Sequence, residues 1–260
     1  MKLDLYQVDA FTKILFKGNP AAVCPLNNWL DDKILKNIAA ENNLSETAFF
    51  VKKDNQYHIR WFTPTIEVDL CGHATLASAY VIFNFIEKEI NQIVFESLSG
   101  NLTVFREDEF ITLNFPARPP KKNFTSDLHL KCLDVEPKEV LLSSKTLFLL
   151  NSENEVLNAV PNFDEIKKLD SDGLIITAKG ENCDFVSRYF APHAGIPEDP
   201  VTGSAHTVLT PYWSKKLNKR KLQAKQLSKR GGELFCEDLG DRINISGKAV
   251  LYSIGEIDLA

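Results

Sequence analysis

The sequence predicts an α+β fold of two pseudo-symmetric halves, each a curled, mostly antiparallel sheet or barrel around a buried central helix. A repeated pentapeptide, a small-residue helix start after each copy, and short β-rich runs predict it. Residues 60–64 (RWFTP) recur as residues 188–192 (RYFAP), and a loop then leads to CGHAT in the first copy and TGSAH in the second. Further similarities upstream and downstream keep the same order, which indicates an internal duplication.

Short runs rich in β-branched and aromatic residues predict the strands. In the first half they are residues 58–62, 93–96, 101–105 and 110–115. An amphipathic helix is predicted over residues 30–41, where apolar residues recur at every fourth position.

One buried helix is predicted in each half, beginning at the glycine that follows the repeated motif. The first spans residues 72 to about 85 and the second residues 203 to about 210, where Pro211 should end or kink it. Because both helices consist largely of small and apolar residues, we expect them to be buried on all sides. Residues 114–122, with three prolines and three cations, are typical of a linker. We therefore predict two domains, residues 1–117 and residues 118–260.

Composition excludes several classes of protein. The 260 residues carry a net charge of −5 and are 44% hydrophobic, as in an ordinary globular protein, and no basic run suggests nucleic-acid binding. The most apolar window, residues 140–150, is interrupted by Ser143, Ser144 and Lys145 and is too short to span a bilayer. Five scattered cysteines without a CxxC motif or an export signal indicate reduced thiols and a cytoplasmic location.

The two helix starts predict binding of an anion. Unpaired N–H groups and the helix dipole both favour negative charge there, so helices starting at Gly72 and Gly203 and facing one cleft would suit a small carboxylate. The alternative is that both glycines only permit close packing of helix on sheet.

Glu46 is the candidate proton carrier. It enters an apolar strand on the same face as Leu44, Ala48 and Phe50, and a carboxyl buried without a counter-charge suits proton transfer near neutral pH. The alternative is a solvated residue at the start of the strand, or one that caps a loop.

Asp199 precedes the second helix by four residues. Either it caps a turn, with Ser204 in the first helical turn, or it and His73 reach a substrate hydroxyl, amine or carboxylate.

Five blocks resemble the PhzF (phenazine-biosynthesis-like) family of the diaminopimelate epimerase fold superfamily. They are FKGNPAAV at 16–23, NLSETAF at 43–49, RWFTP at 60–64, DLCGHAT at 69–75 and EDPVTGSA at 198–205. The resemblance implies a cofactor-free and metal-free isomerase, often a homodimer, with its active site between the halves. It also implies that the last few residues return to the first half as a strand.

The resemblance implies roles for individual residues. Glu46 falls on the general acid/base, with His73 and Asp199 as the other catalytic residues. The implied substrate-binding residues are Asn19, Gly72, His73, Thr202, Gly203 and Ser204. Epimerases of the superfamily use two cysteines, one at each helix start, but here only Cys71 is present and Thr202 stands at the second position. A two-thiol epimerase mechanism is therefore not expected.

The sequence thus predicts a cofactor-independent isomerase that moves a proton and a double bond on a small carboxylate-bearing metabolite. Two alternatives remain open, a non-catalytic carboxylate-binding protein and an epimerase or racemase variant. A metal or thiol hydrolase using Cys71, His73, His193 or His206 is disfavoured, because the sequence has no HExxH or paired CxxC motif.

Overall fold

The computed structural model describes residues 1–259 and confirms the α+β class, with many strands and few helices. The strands are β1 (Lys2–Ala10), β2 (Asn19–Leu26), β3 (Glu46–Lys53), β4 (Gln56–Phe62), β5 (Glu67–Val68), β6 (Gln92–Ser97), β7 (Gly100–Glu107), β8 (Phe110–Pro116), β9 (Lys121–Asn123), β10 (Glu139–Leu142), β11 (Thr146–Leu149), β12 (Leu174–Lys179), β13 (Phe185–Ala191), β14 (Ile196–Asp199), β15 (Lys221–Gln226), β16 (Gly232–Asp238), β17 (Arg242–Gly247) and β18 (Ala249–Asp258). The α-helices are α1 (Asp32–Asn42), α2 (Gly72–Val81), α3 (Asp127–Lys131), α4 (Glu153–Asn158), α5 (Phe163–Ile166) and α6 (Gly203–Leu217), and a π-helical turn (Ile82–Ile86) follows α2.

The chain divides into two compact units. Residues Met1–Phe115 and Ser246–Ala260 form the first, and Pro116–Ile245 form the second. In the first unit the strands pair in the order β18-β1-β2-β3-β4-β6-β7-β8. The β2–β3 and β4–β6 pairs are parallel and the others are antiparallel. Helix α2 is the crossover that the parallel β4–β6 pair requires.

The second unit repeats this plan. Its strands pair in the order β9-β10-β11-β12-β13-β15-β16, with β11–β12 and β13–β15 parallel. Helix α6 is the crossover between β13 and β15. The C-terminal strand β18 lies antiparallel to β1, as β9 lies antiparallel to β10. The same sequence of pairings in both units is what the duplicated motif predicts.

Helices α2 and α6 are buried, as their composition predicts. Nine of the ten residues of α2 are buried, including His73 and Ser78. The Ser78 hydroxyl donates to the Ala74 carbonyl of the same helix at 2.7 Å. In α6 the buried residues include His206, Leu209 and Trp213. Among residues 1–259, no helix is both long and apolar enough to cross a membrane.

Pro211 was predicted to end or kink the second helix near residue 210, and the predicted end is wrong, because α6 continues to Leu217. Proline has no N–H, so the Thr207 carbonyl, four residues earlier, loses its helical donor. The backbone N–H of Arg118 donates to that carbonyl at 2.9 Å instead. This tertiary hydrogen bond gives the Thr207 carbonyl a donor in place of the missing proline N–H. It therefore offsets the lost hydrogen bond, which is one of the two costs of a proline inside a helix; the other is the clash of the ring with the preceding turn.

Candidate active site

Glu46 is the first residue of β3, the strand that follows helix α1. Helix α1 ends when Asn43 adopts a left-handed conformation at φ 50°, and three residues later the strand begins. Strands β2 and β3 are parallel, with Ala21 in register with Glu46. Both strands therefore begin at the same edge of the sheet, which brings Asn19 and Glu46 close together. The Glu46 side chain is only 12% exposed.

His73, in the first turn of α2, is an ionisable neighbour of Glu46. Its Nε2 lies 3.3 Å from Glu46 Oε2, and its side chain is 3% exposed. On the other side of the ring, Asn19 Nδ2 lies 3.1 Å and Cys71 Sγ 3.5 Å from Nδ1. Burial lowers the pKa of His73 to about 3, so the imidazole is neutral at physiological pH. A carboxyl group and a neutral imidazole thus face each other in a largely buried site.

The same residues include the ligand types that a metal ion uses. The described residues contain one group of this kind, Glu46, Cys71 and His73, with one ligand atom of each within 4.8 Å of the others. Of the residues named for the hydrolase alternative, Cys71 and His73 belong to this group, and His193 and His206 do not. Both ring nitrogens of His73 lie against protein atoms: Nδ1 is 3.1 Å from Asn19 Nδ2, and Nε2 is 3.3 Å from Glu46 Oε2.

The start of each central helix offers backbone donors. In the part of the chain that the structure describes, neither N-cap residue, Cys71 before α2 or Thr202 before α6, caps its helix with a side-chain hydrogen bond. Helix α2 begins at Gly72 and helix α6 at Gly203. Because glycine has no Cβ, no side chain at these two positions obstructs approach to the first N–H groups. Such ends favour a carboxylate through their donors and their dipole.

In the second unit, Asp199 and Thr202 form a buried pair. Asp199 ends β14 and is 6% exposed. Thr202 Oγ1 donates to Asp199 Oδ2 at 2.5 Å. Ser204 lies in the first turn of α6, where its carbonyl accepts from Thr207 Oγ1 at 2.7 Å. The structure therefore brings Asn19, Glu46, Gly72 and His73 together in the first unit, and Asp199, Thr202, Gly203 and Ser204 together in the second.

Two buried residues that interact with Asp199 were not predicted. Gln226, at the end of β15, is 1% exposed, and its Nε2 donates to the Asp199 carbonyl at 2.7 Å. Lys145 is 5% exposed, with Nζ 3.6 Å from Asp172 Oδ2. Burial lowers the pKa of Lys145, against the opposing carboxylates of Asp172 and Asp199. A lysine inside an apolar window was the only sequence signal for Lys145, and Gln226 had none.

His206 makes the stability of the second unit depend on pH. Its Nδ1 donates to the Thr202 carbonyl at 2.8 Å, and burial lowers its pKa to about 4, against 6.5 in an unfolded chain. Between these two pH values the unfolded state binds more protons, so stability is lost as the pH falls through 6.5 toward 4. From about pH 7.5 to about pH 5.5, the wild type should lose roughly 1.4 kcal/mol more than His206→Gln.

Urea unfolding of both proteins at the two pH values measures this difference. The contributions of His73 and of the carboxylates cancel in the comparison. Equal losses of unfolding free energy in the two proteins would show that His206 titrates normally in the folded state.

Comparison with known proteins identifies the family. The family model described as phenazine biosynthesis-like protein (PhzC-PhzF) matches residues 8–255. The chain belongs to this family. The resemblance seen in the sequence is thereby confirmed, and with it the fold class.

Individual relatives of this PhzF-family chain support the same family assignment. An uncharacterized isomerase of Pseudomonas aeruginosa is 48% identical over 259 residues, covering all of both chains. The crystal structure of a PhzF-family phenazine biosynthesis protein from Enterococcus faecalis has a TM-score of 0.96 at 46% identity, again over 100% of both chains. A hydroxyproline epimerase from Agrobacterium vitis, at 9% identity, has a TM-score of 0.67 over 98% of this chain and 92% of its own, which shows a shared fold alone.

Proposed function

We propose that this PhzF-family protein is a cofactor-independent isomerase that moves a proton, and with it a double bond, on a small carboxylate-bearing metabolite. The observation that carries the proposal is the Glu46–His73 pair, a largely buried carboxyl group 3.3 Å from an imidazole that burial keeps neutral. Such a pair suits proton transfer at carbon near neutral pH. The isomerase name of the Pseudomonas aeruginosa relative supports the same reaction class.

Glu46 acts first as base and then as acid. A C–H bond of the substrate breaks, an O–H bond forms on Glu46, and the electron pair left behind spreads over the conjugated skeleton. Glu46 then returns the proton to a different carbon of that skeleton, and its carboxylate is regenerated. The double bond moves, and no atoms or electrons are gained or lost.

The remaining predicted residues bind and orient the substrate. Backbone N–H groups at the starts of α2 and α6, with Thr202 and Ser204 beside the latter, bind the carboxylate and stabilise the charge that develops. Asn19 contributes to binding through its contact with His73. His73 and Asp199 orient the substrate. The family resemblance favours a homodimer, and the scattered cysteines favour a location in the cytoplasm. The Thr202 hydroxyl donates its proton to a hydrogen bond with Asp199. Thr202 stands where a two-thiol epimerase has its second cysteine base, and this hydrogen bond gives no support to a base there.

The test is isotope exchange in deuterated water. Chelator-treated protein is incubated with a panel of small unsaturated amino and hydroxy acids, and ligands are first selected by thermal stabilisation. Deuterium incorporation together with a shifted double bond is the expected result. A ligand that stabilises the protein without exchange favours the non-catalytic binding protein, and exchange with inversion at one carbon favours the epimerase or racemase variant. Loss of exchange on chelation would contradict cofactor independence.

A further inference from the structure

In each unit, a buried amide contacts a group that in turn contacts the acidic residue. We propose that Asn19 and Gln226 are positioning residues: each fixes where a neighbouring proton lies so that it faces the acid of its unit, on His73 Nε2 facing Glu46 and on Thr202 Oγ1 facing Asp199. The roles of the two acids rest on the proposed function, but the directions of the hydrogen bonds do not.

In the first unit the tautomer of His73 follows from its neighbours. Asn19 is completely buried, and its Nδ2, which can only donate, lies 3.1 Å from His73 Nδ1. Nδ1 must then accept, so the single proton of the neutral imidazole lies on Nε2. This nitrogen faces Glu46 Oε2 at 3.3 Å, an electrostatic contact that does not have the geometry of a hydrogen bond.

The opposite orientation of the Asn19 amide is inconsistent with this geometry. If Oδ1 faced His73, the proton would lie on Nδ1, and the Nε2 lone pair would face the carboxylate oxygen at 3.3 Å. Two acceptors at that distance in a buried site repel each other, and a buried acceptor without a donor is costly. Cys71 Sγ, 3.5 Å from Nδ1, is consistent with Nδ1 as acceptor, because a thiol is a weak donor.

The tautomer has a consequence for the chemistry. With a proton already on Nε2, the ring nitrogen that faces Glu46 has no lone pair for a proton taken from the substrate. Because burial lowers the pKa of His73 to about 3, the imidazole does not accept that proton. The proton therefore stays on the carboxyl group, where it is available for return to the substrate.

In the second unit, Gln226 holds Thr202 in the same manner. Gln226 Oε1 accepts from the Thr202 backbone N–H at 2.8 Å, which fixes the orientation of the amide. Its Nε2 donates to the Asp199 carbonyl at 2.7 Å and to Thr202 Oγ1 at 3.2 Å. The hydroxyl oxygen already accepts from Gln226, so its own proton points at Asp199 Oδ2, 2.5 Å away.

An amide suits this role because it does not titrate, so the direction of each hydrogen bond is independent of pH. Both amides are buried, Asn19 at the start of β2 and Gln226 at the end of β15. Neither residue needs to touch the substrate.

The first experiment is ¹⁵N NMR of histidine-labelled protein, which needs no substrate. The wild type should show His73 protonated on Nε2 and unprotonated on Nδ1 at neutral pH. Asn19→Asp should move the proton to Nδ1 or charge the ring, because a carboxylate only accepts. Cys71→Ala is the matched control and should leave the Nε2–H tautomer unchanged. A wild-type proton on Nδ1, or an unchanged tautomer in folded Asn19→Asp, overturns the proposal whatever reaction the protein catalyses.

The second experiment uses the isotope-exchange reaction. Asn19→Asp and Gln226→Glu should each lower kcat by roughly 10- to 100-fold with little change in KM, as expected for residues that orient another group. In Gln226→Glu the Thr202 proton turns toward the new carboxylate, so the acidic limb of the kcat/KM profile should move to higher pH. Gln223→Glu, on the same strand, is the control and should retain the wild-type profile. A Gln226→Glu profile that coincides with it contradicts the proposal for the second unit, whereas failure of the proposed function would appear as no exchange by the wild type.

Discussion

Replacing Glu46 by Gln should lower the rate of solvent deuterium exchange by a factor of about 10² to 10⁴, the range expected when a general acid/base is removed. The amide has the shape of the carboxyl group, but it accepts no proton from carbon. Because Glu46 acts in the transition state, kcat should fall while KM stays nearly constant. Rates of deuterium incorporation at several substrate concentrations measure both constants.

Two further variants sharpen this prediction. Glu46→Asp retains the acid but withdraws it by one methylene, so its activity should lie between those of the wild type and Glu46→Gln. Glu41→Gln removes an exposed carboxylate at the end of α1 and should exchange at the wild-type rate. If Glu46→Gln retained more than about a tenth of the wild-type rate, another group would have to carry the proton.

The sequence predicted the main features of the fold because they are local or repeated. The duplicated motif places a glycine at the start of each central helix, and the small residues after it require burial, as observed in α2 and α6. The predicted amphipathic helix over residues 30–41 corresponds to α1, Asp32–Asn42. Runs rich in β-branched and aromatic residues predicted β4, β6, β7 and β8 within a few residues at their ends.

What the sequence did not predict depends on pairing between distant segments. Helix α6 continues through Pro211 because the N–H of Arg118, 89 residues before Thr207, reaches the Thr207 carbonyl. Glu46 was expected to lack a partner of opposite charge, and the structure gives it a neutral one, His73, which only the packing of α2 against β3 could reveal. Gln226 reaches Thr202 and Asp199 from β15, 24 and 27 residues away in the chain.

Replacing Arg188 by Met should cost about 3 kcal/mol of unfolding free energy, as expected when one partner of a buried ion pair is removed. The Arg188 side chain is 12% exposed and joins β13 to β14 through two hydrogen bonds to Glu198, at 2.7 and 3.1 Å. Its Nη1 also donates to the carbonyls of Val156, Leu157 and Ala159 at the end of α4. Methionine fills similar space but leaves the Glu198 carboxylate and three carbonyls without this donor.

Arg60→Met is the matched control, because Arg60 occupies the same place in the repeated motif. It bonds to both oxygens of Glu67 across β4 and β5, but it is more exposed, at 20%, and its Nη1 donates to Asp32 on the surface. Arg60→Met should therefore cost less than Arg188→Met in urea unfolding. Arg188→Lys should recover only part of the loss, since an ammonium cannot make the forked contact. Equal costs for the two methionine variants would show that the α4 carbonyls gain nothing from Arg188.

Since Asp199 directly follows Glu198, loss of this ion pair should also loosen Asp199, and exchange activity should fall even at temperatures where Arg188→Met is fully folded.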